Sequence, residues 1–456
     1  MEIEGICGWG TEPPLHLDLT DPESYVAFLA QMKRLSKEGY CVKKHFQILL
    51  DALSDKAAGK NLVQCGFIHA VLKAMKQCKD MDSQVMGLKI LKIIALDKDN
   101  IPMMHKGGVV EMVMENMGNF SECAVLQIAA CEVLCELTSD DKMMEKYISD
   151  ARVIDLVVNA MKSNYTGATV QCHGCRALLF LTRICVKEDP DFMEGCIEVV
   201  VSGMRNHPND WRVQSFGLMA MFDWTAKYSG IQKSAALREG LELVVSIMKT
   251  QASRVMEQTH GCGFIWNMFR AEVYDVCDEA MVVVKAAMKN HPEDSEVQIR
   301  GCGALWSMLR CHSDSTDLAF GKAIPYVIRA MDMYQDMEKT QLMGCGFLRT
   351  VASHEKYREG IVQYSGIALV ARAMTRFGGN ADIVCNGSLF YRSFLQYDKY
   401  HEYLVSDDTV SILKVIQDCK EVSDLEWCKG VQEKLKELIA VHEESVPCDY
   451  IGNPRD

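Results

Sequence analysis

The stretch Ile154-Asp155-Leu156-Val157-Val158-Asn159-Ala160-Met161, answered ten residues on by Gln171-Cys172-His173-Gly174-Cys175-Arg176-Ala177-Leu178-Leu179, decides the fold of this chain. Its apolar residues cluster three and four apart rather than in strict alternation, which is the period of buried helix faces. The methionine returns at Met32, Met75, Met117, Met161, Met204, Met248, Met288, Met331 and Met374, with Gln417 in the tenth place. A small residue in the following helix returns as Gly87, Ala130, Gly174, Gly217, Gly261, Gly301, Gly344, Gly387 and Gly430, with Lys44 in a degenerate first copy. A repeat of about 43 residues implies a solenoid, because one such unit cannot bury its apolar face without stacking on neighbours.

The connections fit this reading. Prolines are few, and two of them close the recurring loop Asn206-His207-Pro208 and Asn290-His291-Pro292. Breaks are thereby confined to the segments between helices. A third mark is a glutamine three residues before the small residue, at Gln84, Gln127, Gln171, Gln214, Gln258, Gln298 and Gln341. A fourth is a glycine upstream of the methionine, at Gly66, Gly108, Gly195, Gly240 and Gly366.

With these marks the unit resembles the armadillo repeat. The resemblance covers roughly residues 20–440 and includes the Val-Gln pairs Val170-Gln171, Val213-Gln214 and Val297-Gln298. It implies an all-α, right-handed α-solenoid of about ten repeats, each with a short first helix, a bend at the upstream glycine, a second helix and a longer third helix. HEAT repeats share the period and are the nearest alternative, but the bend glycines favour armadillo. The expected organisation is an N-terminal segment at 1–20, a repeat superhelix at 21–440 and a C-terminal tail at 441–456.

A glycine inside a helix costs about 1 kcal/mol against alanine, so its recurrence at one phase implies close packing against the second helix of the same or the next repeat. The cysteines that follow it, Cys131, Cys175, Cys262, Cys302 and Cys345, fit as small buried groups.

Composition excludes several classes. A formal charge of −13 speaks against a general nucleic-acid surface. No run of about twenty apolar residues is present to span a membrane. Twenty cysteines without a secretory signal point to a reducing, cytoplasmic setting, with cytoskeletal or ciliary association compatible. Cys172 and Cys175 form the one C-x2-C pair, with no second pair at zinc-finger spacing, so no metal is expected. Asp97-Lys98-Asp99-Asn100 starts like a calcium loop but lacks its glycine and closing glutamate. Phosphate-binding, nucleophile-elbow and H-E-x-x-H motifs are missing, so neither catalysis nor a cofactor is expected.

The resemblance places a binding groove on the third helices. Residues two, five and nine places beyond the glutamine share one helical stripe there. They are His173, Arg176 and Phe180 in the fourth copy, Phe216, Met219 and Asp223 in the fifth, and His260, Gly263 and Asn267 in the sixth. Arg300, Gly303 and Ser307 follow, then Met343, Gly346 and Thr350, then Asn386, Leu389 and Ser393. The Trp and Asn ladder of importin-α-like grooves is lacking apart from Asn267, and so is the continuous Lys/Arg row of catenin-like grooves. Trp266 and Trp306 sit at the eighth place of adjacent copies, where aromatics usually fill the space between repeats. Gly263, Gly303 and Gly346 suggest a shallow trough open to a partner backbone.

The expected function is a non-catalytic scaffold or adaptor whose groove takes an extended peptide or helix of a protein partner, in a cytoskeletal, ciliary or signalling assembly. A GTPase exchange factor or chaperone built on armadillo repeats is the alternative.

Overall fold

A computed structural model describes residues 22–37, 42–53, 66–138, 144–145, 147, 152–184, 190–228, 230–271, 277–311, 318–405 and 407–445. The 1–20 segment and most of the 441–456 tail lie outside these residues. Every regular element among the described residues is a helix. The chain divides into two compact units, Met1–Leu237 and Arg238–Asp456.

In the first unit the third helices are Met81–Ala95, Ala124–Leu137, Ala168–Ile184 and Trp211–Lys227, and each packs on the next. In the second they are Val255–Arg270, Ser295–Cys311, Glu338–Ala352, Ala381–Leu395 and Glu426–Ser445, stacked in the same way. Asp80, Asp210 and Asn380 cap three of them by accepting backbone N–H bonds from the first turn.

Two sequence marks are packing partners. The methionine ends the second helix and lies across the glycine of the third helix in the same repeat. A Cβ at Gly87, Gly261 or Gly301 would stand 2.5–2.6 Å from the nearest side-chain atom of Met75, Met248 or Met288. Gly174, Gly217, Gly344 and Gly387 face Met161, Met204, Met331 and Met374 at least as closely. The close approach is therefore side chain to backbone within one repeat. Where Gln417 replaces the methionine, the space around Gly430 is empty.

The glutamine ties the same two helices. In the seventh repeat the Gln298 Nε2 donates to Met288 O and His291 O, both at 2.9 Å. Gln127, Gln171, Gln214, Gln258 and Gln341 repeat this pair of bonds to the end of their own second helix. Gln84 does so through Met75 O and Cys78 O. A helix end leaves carbonyls without intrahelical partners, and one buried amide here satisfies two of them.

The Asn-His-Pro loops join neighbouring repeats: His207 Nε2 lies 2.9 Å from Tyr165 O and His291 Nε2 2.7 Å from Ala252 O. Tyr334 Oη donates to Pro292 O at 3.0 Å in the next step of the second unit.

The bend glycines divide into two groups. Gly66 and Gly108 take left-handed φ values of 76° and 84° immediately before a second helix. In the ninth repeat Ser365 holds that conformation, and Gly366 is the first helical residue. Gly195 and Gly240 depart from expectation, since the helices Pro190–Asn206 and Ala235–Thr250 run straight through them. A glycine bends a helix only where the backbone leaves the helical region. Before Ala235–Thr250 the left-handed residue is Gly230, at φ 91°, where the Gln232 amide secures the turn by donating to Thr225 O.

Candidate recognition face on the third helices

The stripe in the first unit is crossed by ion pairs that link successive third helices, with one further lysine, Lys98, from the short turn after Met81–Ala95. Lys92 Nζ lies 2.6 Å from Glu132 Oε1, and Glu136 receives both Arg176, at 3.3 Å, and Lys98, at 3.0 Å. Arg183 Nε meets Asp223 Oδ2 at 2.6 Å. The Phe180 ring lies between Arg176 and Arg183, whose guanidinium carbons stand 5.7 and 5.5 Å from its centroid. His173 Nδ1 is 3.9 Å from Glu132, yet burial holds its imidazole below the ordinary value, with the Glu132 carboxylate opposing. Phe216, Met219 and Asp223 are half-buried along the next helix. Beneath them Trp224 Nε1 donates to Thr182 Oγ1 at 2.7 Å, and Tyr228 Oη to Thr182 O at 2.7 Å.

The second unit corrects the glycine trough. Gly263, Gly303 and Gly346 are buried, and the space above two of them is filled. A Cβ at Gly303 would stand 2.7 Å from Trp266 Cδ2, and one at Gly346 2.5 Å from Trp306 Cζ2. Each half-buried indole packs on the glycine of the following repeat, so removing the side chain there makes room for tryptophan. Ser307 is also buried. His260 and Asn267 are half-buried, with His260 Nδ1 2.8 Å from Met256 O of its own helix. Arg300 pairs with Glu296 at 3.0 Å, one turn away on the same helix. Asn386 is buried and accepts a 3.0 Å bond from Arg349 Nη1.

Beside Trp306 the face opens into a cavity of about 550 Å³ lined by Trp306, Arg310, Arg349, His354, Asp382 and Asn386, among others. Trp306 Nε1 donates to Thr350 Oγ1 at 3.2 Å, and Arg310 lies over the indole with its guanidinium carbon 6.0 Å from the ring centroid. Of the sequence-derived stripe, Thr350 and Asn386 reach this cavity. Reading two, five and nine places from the glutamine misses its other lining residues. Trp306 and Arg349 stand at the eighth place, and Arg310, like Arg183 in the first unit, at the twelfth. These positions continue the stripe by one turn each, and the adjacent Trp266 and Trp306 are the signal that marks them.

No family model matches this chain, and no curated protein matches it. Solved structures do. One chain from a structure described as a conserved phosphorylation switch controlling the interaction between cadherin and β-catenin is similar over 94% of this chain and 98% of its own length. The TM-score is 0.61 at 11% sequence identity. β-Catenin is an armadillo-repeat protein. No helix among the described residues is long and apolar enough to cross a membrane. The repeat marks, the split first helices at Gly108 and Ser365 and the similarity over nearly the whole chain together establish an all-α solenoid of the armadillo type.

Proposed function

We propose that the protein is a non-catalytic scaffold that holds a protein partner, as an extended segment or a helix, on the face of its third helices. The observation that carries this reading is the composition of that face. In helices otherwise committed to the core, His173, Arg176, Phe180, Phe216 and Asp223 stay half-buried in the first unit and His260, Asn267, Trp306 and Arg349 in the second, so that each unit presents aromatic and charged groups. Interfaces favour such groups, Trp and Arg above all. The solved chain described for the cadherin and β-catenin interaction supports the same reading by its fold. A place in a cytoskeletal, ciliary or signalling assembly in the cytoplasm is the setting this function implies.

Because Gly303 and Gly346 pack against tryptophans, the test uses the partly exposed Phe180 and the exposed Arg310 instead. Full-length protein and the variants Phe180→Asp and Arg310→Glu are used to capture partners from the native source, with helicity and melting measured in parallel. The expected result is loss of specific partners from one or both variants at unchanged helicity. Identical capture by all three proteins overturns the assignment of the face.

A further inference from the structure

The arginines of the two units are placed differently. In the first unit Arg176 and Arg183 are each met by a carboxylate on a neighbouring third helix, Glu136 and Asp223, so their charge is neutralised within the fold. Among the described residues, the cavity beside Trp306 shows no such neutralisation. Arg310 and Arg349 both line it, and neither forms an ion pair among the described residues. Arg310 is exposed and held over the indole face. Arg349 is half-buried, and among the described residues its guanidinium makes one hydrogen bond, from Nη1 to the buried Asn386 Oδ1, which orients the group with its other N–H donors towards no described partner. His354 adds an imidazole at the rim, its Nδ1 3.3 Å from Thr350 O. Asp382 also lines the cavity, exposed at the start of its helix, and pairs with neither arginine. Among the described lining residues two guanidinium groups thus meet one carboxylate, in a chain whose formal charge is −13.

We infer that this cavity is a binding site for an oxyanion, a carboxylate or a phosphate monoester, carried by a side chain or chain end of the protein partner. A planar guanidinium fixed on one side by Asn386 offers paired donors to such a group. The indole of Trp306 forms an apolar wall for the carbon atoms bearing the charge. About 550 Å³ accommodates a side chain and excludes a folded domain. That the oxyanion belongs to a protein rests on the scaffold reading; the anion chemistry of the cavity does not.

The test uses full-length protein with 15N-labelled tryptophan indoles, the Trp306 resonance being assigned by Trp306→Phe. Phenyl phosphate, benzoate and neutral benzamide are titrated separately. The expected result is movement of the Trp306 signal with one or both anions and not with benzamide. Weakening by about tenfold is expected in Arg349→Gln, with a smaller loss in Arg310→Gln, whose exposed side chain leaves folding intact. The tighter of the two anions identifies the oxyanion source. An unmoved Trp306 signal, an equal response to benzamide, or a response that survives Arg310→Gln combined with Arg349→Gln overturns the site. Anion binding alongside unchanged partner capture by the Arg310→Glu and Phe180→Asp variants keeps the site and removes the scaffold reading. Altered capture without anion binding does the reverse.

Discussion

Trp306 occupies the space that a side chain at Gly346 would need: its Cζ2 lies 2.5 Å from where the Cβ would stand. Two residues earlier on the same helix, Gly344 is covered by the flexible chain of Met331. The repeat already accepts alanine at the Gly344 position, as Ala130, with Met117 fully buried. Gly344→Ala is therefore expected to cost within about 1 kcal/mol, the overpacking being partly offset by helix propensity. Gly346→Ala, against a rigid indole, is expected to cost about 2–3 kcal/mol. Denaturant midpoints of the two variants check the order, and equal costs would refute the Trp306 lock.

Gln298 joins two helices through two buried carbonyls. Gln298→Leu keeps the volume and removes both donors, leaving Met288 O and His291 O without their amide partner. A loss of about 2–3 kcal/mol is expected. Gln298→Glu, which sets an acceptor against acceptors, is expected to lose more at neutral pH. If Gln298→Leu melts with the native protein, the amide bonds are incidental to the packing.

Burial holds His45 below its ordinary value of 6.5, with its Nε2 3.0 Å from Gln31 Oε1. A depressed histidine binds its proton more weakly in the folded state than in the unfolded one. Its contribution to stability is thus complete above pH 6.5 and declines as the pH falls from there towards the folded value. His173 acts in the same direction. Unfolding midpoints followed downward from neutrality should fall less steeply for His45→Phe than for the native chain; parallel slopes would show that His45 does not contribute.

The thiols after the ladder glycine are sealed. Burial pushes Cys262, Cys302 and Cys345 up to about 12, far from the thiolate form. Cys123 and Cys419 are half-buried. Iodoacetamide applied to the folded protein should label Cys123 and Cys419 well before the ladder cysteines, as read by peptide mass. Early labelling of Cys302 would mean that the third helices open readily.

The fold was legible because its marks are local and repeated. Methionine, glutamine and glycine recur at fixed offsets, and the structure makes them one device in which Met288 covers Gly301 while Gln298 holds the end of the helix that carries Met288. The bends were only partly legible. Gly108 and Gly195 look alike in the sequence, but the backbone leaves the helical region at one and continues through the other. The recognition face was legible as a stripe and illegible as a surface: Gly303 and Gly346 read as open positions until Trp266 and Trp306 were found lying on them.

The sequence by itself determined the class of structure, because helical period and repeat spacing are properties of neighbouring residues and any stack of such units must bury the same faces. Tertiary structure alone decided which charges remain available. Arg176 and Arg349 are both arginines on third-helix stripes, but one meets Glu136 from the preceding repeat and the other an uncharged Asn386 from the following one. That difference arises from side chains far apart in the chain meeting across a helix interface, where the identity of the partner sets the charge that is left.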